Sequence, residues 1–149
     1  MGNVKVIVLQ GLANSGKTTT LNTLIGLFPK AKKHDSNRSS KDTRVTVELN
    51  GKKIGIITAG DNVGELKHGF SALQECEIYV CAARTKGGTV DYLENNFKEK
   101  DILWIGRWQV REKTFEGTNV EERRNRANQC QAKEIYDILN ELTKCNPNE

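Results

Sequence analysis

The sequence predicts an α/β domain of three layers, in which a sheet of about five mostly parallel strands lies between helices and includes one antiparallel hairpin at residues 44–59. Two observations predict this class. Short runs rich in β-branched residues alternate with segments of helical periodicity, as in sheets that are buried on both faces. Asn50-Gly51 separates two apolar runs and is a strong hairpin signal. The length of 149 residues fits one domain spanning residues 1–149.

The first strand and the first helix are predicted from two different patterns. Residues 4–10 form a short apolar run that ends at a glycine-containing loop, which is typical of a buried parallel strand. The apolar residues that follow recur with the period of a helix that buries one face, and they are Leu21, Leu24, Ile25 and Phe28. Pro29 is expected to end this helix.

The hairpin follows a polar segment. Residues 30–43 are basic and show no periodicity, which predicts a mobile surface loop. Residues 44–49 alternate between apolar and polar positions, and residues 53–59 supply the returning strand. We therefore expect two antiparallel strands in this part of the chain.

Strands and helices alternate in the second half. The pattern predicts a helix over residues 65–75, a buried strand over residues 78–83, a helix capped by Thr89 and a strand over residues 102–108. Such alternation is typical of strand–helix–strand units in a parallel sheet.

A last helix is expected to begin at Asn119 and to run to about residue 143. Glu122 follows Asn119 at the spacing of a capping box. The predicted apolar stripe that docks this helix on the sheet consists of Ile135, Ile138, Leu139 and Leu142.

Composition narrows the class of protein. No apolar run reaches the roughly 18 residues of a membrane helix, so we expect no membrane association. The four cysteines form no C-x-x-C pair, which favours reduced thiols in a cytoplasmic protein.

The net charge of the chain is +4, and the basic residues concentrate in residues 30–53 and 107–126. Such segments suit an anionic partner, although a solvated surface that keeps the protein soluble is the simpler explanation.

One motif indicates a chemistry. Residues 11–18 read Gly-Leu-Ala-Asn-Ser-Gly-Lys-Thr and match the Walker A pattern G-x-x-x-x-G-K-[ST] in every defined position. Glycines let backbone N–H groups approach phosphate oxygens, and the following helix adds its dipole. The residues expected to bind nucleotide here are Gly11, Ala13, Asn14, Ser15, Gly16, Lys17, Thr18 and Thr19.

Two side chains of the motif have predicted roles beyond binding. Lys17 is expected to neutralise the β- and γ-phosphates and to contribute to catalysis. Thr18 offers its hydroxyl to Mg²⁺, which prefers oxygen ligands and keeps several waters. The motif therefore predicts a nucleoside triphosphate and Mg²⁺ as cofactors.

Three residues outside the motif are further candidates. Asp61 is the only acidic residue between Leu49 and Glu65, so it is the candidate metal ligand or water-orienting carboxylate after the third predicted strand. A turn that merely caps the next helix is the alternative. Arg84 follows the fourth predicted strand and is a candidate catalytic cation, or else a solvated charge. Trp108 offers a plane for stacking a base, or else packs in the core.

On these residues the chain resembles the P-loop NTPases, and over residues 4–110 its layout is similar to that of Ras-like GTPases. The Walker A motif, the hairpin and Thr58-Ala59-Gly60 support this resemblance. It also resembles small ATP-binding P-loop proteins of bacteria and phages. The resemblance implies a three-layer P-loop fold, nucleotide binding and Mg²⁺.

Two departures from the Ras-like pattern affect specificity. Ile57 stands where that family has an aspartate that supports Mg²⁺. Residues 107–110, Arg-Trp-Gln-Val, stand where the family has the Asn-Lys-x-Asp motif that selects guanine. Without that carboxylate GTP is less favoured, so the sequence predicts ATP.

Three functions fit these features. The first is slow hydrolysis of a nucleoside triphosphate by a nucleotide-dependent switch or accessory NTPase that acts on a protein partner or as a homo-oligomer. The second is a nucleotide or nucleoside kinase, whose phosphates the basic stretch 107–126 covers as a lid. The third is a nucleic-acid-binding module that uses nucleotide only as a ligand.

Overall fold

A computed structural model describes residues 4–12, 15–34, 44–60, 62–107, 110 and 116–144. In these residues one mixed sheet has six strands in the order β2-β3-β4-β5-β1-β6. The strands are β1 (Lys5–Gln10), β2 (Lys32–Lys33), β3 (Arg44–Leu49), β4 (Lys52–Ile57), β5 (Ile78–Ala83) and β6 (Ile102–Gly106). β4, β5, β1 and β6 run parallel, whereas β3 is antiparallel to both of its neighbours.

Helices cover both faces of the sheet. The described helices are α1 (Lys17–Ile25), α2 (Val63–Ala72), α3 (Gly88–Asn96), α4 (Val120–Thr143) and a 3₁₀ turn at Glu99–Asp101. On one face α1 and α4 pack against side chains such as Ile7 and Leu9 of β1. On the other face α2 and α3 pack against Val6 and Val8 of the same strand. The predicted α/β class with three layers is therefore confirmed.

The strand count and pairing differ from the prediction. Six strands are present where about five were expected, because β2 forms within the segment that was predicted to be a loop. β2 pairs with β3, so the sheet contains two antiparallel pairings rather than one. Residues 35–43 of the predicted loop lie outside the described residues. A strand of only two residues gives too short a pattern to be read from sequence.

The hairpin between β3 and β4 forms as predicted. Asn50 and Gly51 have φ angles of 53° and 81°. Both values are positive, as the two central residues of a type I′ turn require. This turn fixes the register that places Arg44 opposite Ile57.

Several helix boundaries move from their predicted positions. α1 ends at Ile25 with Gly26 as its C-cap, before Pro29 is reached. α2 begins earlier than predicted because the side chain of Asn62 accepts a hydrogen bond from the backbone N–H of Glu65 at 2.8 Å. The predicted cap Thr89 was wrong: Thr89 lies inside α3, and its hydroxyl accepts a hydrogen bond from the N–H of Arg84 at 3.1 Å.

α4 begins at the predicted cap, since the side chain of Asn119 accepts from the N–H of Glu122 at 3.1 Å. Its buried stripe, however, is shifted from the predicted one. Ile135 and Leu139 are fully buried, but Leu142 is 42% exposed. The remaining buried residues of α4 are Ala127, Asn128, Ala132 and Thr143. Among the described residues no helix is long and apolar enough to cross a membrane.

The strand order determines which strand ends are neighbours. β1 lies between β5 and β6, and β5 separates it from β4. Because neighbouring strands are about 4.8 Å apart, the end of β4 is about 10 Å from the end of β1. β5, which leads to Arg84, therefore ends beside the start of the Walker A loop. β4, which leads to Asp61, ends one strand further away.

Gly60 lies where β4 has just ended, and a Cβ atom there would overlap the carbonyl oxygen of Ala82 in β5. We predict that Gly60→Ala lowers the free energy of unfolding by about 1–3 kcal/mol, because backbone rather than a flexible side chain must move. Denaturant titration measures this. The matched control is Gly106→Ala, since no described atom lies within 4 Å of that Cβ position. Equal stability losses in both variants would contradict the steric explanation.

The buried carboxylate of Asp101 accepts a hydrogen bond from the ammonium group of Lys5 at 2.6 Å. This bond lowers the pKa of Asp101 below its ordinary value. A carboxyl whose pKa is lower in the folded state stabilises the fold above its unfolded pKa of about 4, and the contribution disappears as the pH falls through the folded pKa.

We therefore predict that Asp101→Asn destabilises the protein at neutral pH and that the difference from wild type shrinks below about pH 4. Thermal unfolding between pH 3 and 7 measures this difference. Asp137→Asn on the exposed surface of α4 makes the same change in charge and is the control. A difference that stays constant over this pH range would show that the ion pair is not its source.

Candidate functional site

Three neighbouring strand ends form the edge of the sheet at which the Walker A loop begins. The N–H of Gly11 donates to the carbonyl of Ala83 at 3.1 Å, and the N–H of Arg107 donates to the carbonyl of Gln10 at 2.7 Å. The side chain of Gln10 also donates to the carbonyl of Arg84 at 3.3 Å. These bonds continue the pairing of β5, β1 and β6 by one residue. The start of the loop is therefore held by hydrogen bonds to both neighbouring strands.

The two motif glycines lie where a side chain would not fit. A Cβ atom on Gly11 would lie 2.5 Å from the Ser15 hydroxyl oxygen and 2.9 Å from Cβ of Arg107. Gly16 has a φ of 95°, in the left-handed region that favours glycine. The loop can therefore be tight only because both positions lack a side chain.

Lys17 turns its side chain back into the loop. It is 5% exposed. Its ammonium group donates to the carbonyl of Gly11 at 2.6 Å and to that of Leu12 at 3.1 Å. These two bonds hold the ammonium group inside the loop, where its positive charge favours an anion.

The start of α1 also favours an anion. Its N-cap is Gly16, which has no side chain to accept from the first N–H groups of the helix. The first backbone bond of the helix is from the N–H of Thr20 to the carbonyl of Gly16 at 2.9 Å. The N–H groups before it point towards the loop, where the positive end of the helix dipole lies.

Ser15 adds a further polar group to the loop. It is 5% exposed, and its hydroxyl oxygen is buried without a hydrogen-bond partner among the described residues. Buried hydroxyl groups are nearly always hydrogen-bonded in folded proteins. Such a hydroxyl can donate a hydrogen bond to an oxygen-rich ligand in the loop.

Arg107 lies against the outside of the loop, and its side chain is half-buried. Its Nη1 donates to the side-chain oxygen of Gln131 at 2.8 Å, and its Nη2 donates to that of Asn128. The Nε group is enclosed without a partner among the described residues. Burial lowers the pKa of Arg107. Across the described ranges no carboxylate forms an ion pair with this guanidinium.

The other predicted site residues are placed as follows. Arg84 is exposed directly after β5, beside the loop. Thr18 is half-buried in the first turn of α1, and Thr19 next to it is exposed. The predicted residues Ala13, Asn14, Asp61 and Trp108 lie outside the described residues. Because β6 ends at Gly106, the predicted strand over residues 102–108 is shorter than expected.

The described part of the site is cationic and poor in metal ligands. No group of three or more His, Cys, Asp or Glu side chains that could hold a metal ion occurs in the described residues. Of the two predicted Mg²⁺ ligands, Thr18 is described and Asp61 is not. Mg²⁺ usually binds through one or two protein oxygens together with phosphates and water. Thr18 is therefore the predicted Mg²⁺ ligand that the structure describes.

The sequence analysis missed Asn128 and Gln131. Asn128 is 9% exposed on the same stripe of α4 that buries Ala132, Ile135 and Leu139. A polar residue on an apolar stripe is the signal that could have identified it, because such a residue needs a partner. Its side-chain oxygen accepts bonds from Arg107 and, at 3.4 Å, from the Thr20 hydroxyl.

A separate groove lies at the β2 edge of the sheet. It has a volume of about 480 Å³ and is lined by residues that include Lys30, Lys32, His34 and Lys53. Lysines beside an edge strand commonly prevent pairing with another sheet. The groove therefore has a structural explanation, and the anion-binding features converge instead on the Walker A loop.

Comparison with known proteins adds no relative: no protein-family model, no curated protein and no solved structure matches the chain. The loop geometry and the Walker A motif are therefore the basis for any functional inference.

Because the Ser15 hydroxyl has no partner among the described residues, its removal breaks no hydrogen bond that the structure describes. We predict that Ser15→Ala leaves the free energy of unfolding of the unliganded protein unchanged or raises it by up to about 1 kcal/mol. Thr143 is the contrasting control, since its buried hydroxyl donates to the carbonyl of Leu139 at 2.7 Å. Thr143→Val should cost about 1 kcal/mol. Denaturant titration of both variants checks this, and a comparable loss in Ser15→Ala would reveal a partner.

Proposed function

We propose that the chain binds a nucleoside triphosphate, with ATP preferred, together with Mg²⁺, and that it hydrolyses the triphosphate slowly as a nucleotide-dependent switch or accessory NTPase. The observation that supports this most strongly is the geometry of the Walker A loop, in which Gly16 has a φ of 95° and the buried ammonium group of Lys17 donates to the carbonyls of Gly11 and Leu12. A cation in a loop at the N-terminus of a helix favours an anion there.

In this proposal the loop residues hold the phosphates. The backbone N–H groups at the start of α1 donate to phosphate oxygens, and Lys17 neutralises the β- and γ-phosphates. The Ser15 hydroxyl gains the acceptor that it lacks among the described residues. Thr18 supplies one oxygen to Mg²⁺, whose charge offsets that of the phosphate oxygens.

The described strand ends beside the loop offer cations for the proposed slow turnover. The charged side chains there are Lys17, Arg84, Lys86 and Arg107. Catalysis of phosphoryl transfer rests on positioning and on stabilising negative charge, which Lys17 and Arg84 can supply. Asp61 remains the proposed water-orienting residue and second metal ligand.

The proposed preference for ATP rests on residues 107–110, which contain no carboxylate to accept the hydrogens of a guanine base. Trp108 remains the proposed stacking surface for adenine. Arg107 itself is engaged with α4, so stacking on its guanidinium is not part of this proposal.

A switch needs a segment that responds to the γ-phosphate and a partner that recognises it. The proposed segment is residues 30–43, which contains β2 and leads into β3. Among the described residues nearby, the N–H of His34 donates to the carbonyl of Arg44, the first residue of β3, at 2.8 Å. The proposed partner is another protein or a second copy of this chain in the cytoplasm.

We predict that Lys17→Ala weakens binding of Mg²⁺–ATP at least a hundredfold, because about 3 kcal/mol of charge-assisted bonding is lost. Lys17→Met retains the aliphatic stem and should lose affinity to the same extent while preserving packing. Lys133→Ala on the exposed surface of α4 is the matched control and should bind as wild type does. Isothermal titration with Mg²⁺–ATP and Mg²⁺–GTP measures these affinities and the base preference.

Two outcomes would contradict the proposal. Wild-type protein that shows no affinity for either triphosphate at millimolar concentration would remove nucleotide binding. Lys17 variants that bind as tightly as wild type would remove the loop as the site. Product analysis with labelled ATP separates the activities, since free phosphate indicates hydrolysis and a labelled nucleoside or nucleotide acceptor indicates a kinase.

A further inference from the structure

Arg107 connects the Walker A loop with α4. Its Cβ atom lies next to Gly11, and its Nη2 atom lies 2.9 Å from the position that a Cβ on Gly16 would occupy. The same guanidinium donates to Gln131 and Asn128 on α4. One cation therefore contacts both glycines of the motif from outside the loop.

In the described part of the chain, the groups that accept hydrogen bonds from Arg107 are uncharged. Both acceptors are side-chain amides, although a carboxylate is the usual partner for a guanidinium in a protein interior. Gln131 is oriented in turn, since its own amide donates to the carbonyl of Gly106 at 2.9 Å. Asn128 also accepts from the Thr20 hydroxyl in α1. The amides fix the position of the guanidinium without neutralising it.

We propose that Arg107 is an electrostatic positioning residue of the phosphate site, and that Asn128 and Gln131 hold it with neutral amides so that its positive charge acts on the bound phosphates through the glycine loop. This inference rests on the proposed function, because it requires phosphate in the loop. It adds a second cation to Lys17 and assigns a role to α4, which the Walker A motif does not include.

The chemical type of the group that accepts from Arg107 determines how much of the guanidinium charge acts on the phosphates. A carboxylate at position 128 or 131 would form a bidentate ion pair and cancel most of the guanidinium charge seen by an anion several ångströms away. A neutral amide gives similar geometry and leaves the charge in place. The glycines matter here too, because a Cβ on Gly16 would push the guanidinium away from the loop.

The decisive variant is Asn128→Asp, which keeps the shape and the accepting oxygen but adds the negative charge. We expect binding of inorganic tripolyphosphate and of Mg²⁺–ATP to weaken about tenfold, which corresponds to about 1.4 kcal/mol. The melting temperature of the unliganded protein should not fall, since the new carboxylate forms a charge-assisted bond with Arg107. A merely structural Asn128 would show no loss of affinity when stability is retained.

Variants of Arg107 provide a second and independent measurement. Arg107→Gln removes the charge and should weaken tripolyphosphate binding about tenfold, whereas Arg107→Lys retains the charge and should bind within about threefold of wild type. Both lose part of the contact with α4, so both should lower the melting temperature. Affinity should therefore follow the charge at position 107 and not the stability.

The matched control for the added charge is Gln129→Glu, which makes the same chemical change on the exposed side of α4. It should bind tripolyphosphate as wild type does. Asn128→Asp with unchanged affinity, or Arg107→Gln that binds as tightly as Arg107→Lys, would overturn the inference while wild-type binding keeps the proposed function intact. Wild-type protein that binds neither tripolyphosphate nor ATP would instead remove the proposed function itself.

Discussion

The position of β1 between β5 and β6 is the constraint on which the rest of the structure depends. Both faces of this strand are buried, and both edges are paired with parallel neighbours. The loop that follows its carboxyl end starts from hydrogen bonds to both neighbouring strand ends and leads into α1. The buried ammonium group of Lys17 donates to the carbonyls of Gly11 and Leu12 in this loop.

Two cations, Lys17 and Arg107, determine the electrostatics of this loop. Lys17 donates to two carbonyls of the loop, and Arg107 donates to two side-chain amides of α4. Burying the guanidinium of Arg107 without a carboxylate partner among the described residues costs free energy. Folded proteins keep strained or unsatisfied groups mainly at functional sites. In the proposed function an anion in the loop lies close to both cations and to the hydroxyl of Ser15, which has no partner among the described residues.

Close packing of backbone against backbone supports the same edge of the sheet. Gly60, three residues after the end of β4, lies directly against the carbonyl of Ala82 in β5. Gly69 of α2 lies against Ile57, the last residue of β4. Side chains at these positions would separate α2 and β4 from β5. Since β5 pairs with β1, such a displacement would reach the base of the loop. The glycines outside the motif thus hold in place the strands from which the site is built.

The sequence by itself determined the features that depend on neighbouring residues. The Walker A octet, the Asn50-Gly51 turn, the β5 strand and the Asn119 cap all follow from local patterns, because each is fixed by contacts within a few positions along the chain. The α/β class followed from their alternation. Only the tertiary structure decided that β5 separates β4 from β1, that two residues pair as β2, and that Arg107 meets α4. Arg107 and its partners are 21 and 24 positions apart, and local periodicity carries no information about which distant side chains will meet. Contacts between residues that are distant in the sequence depend on long-range packing, that is, on how whole faces of helices and strands fit together.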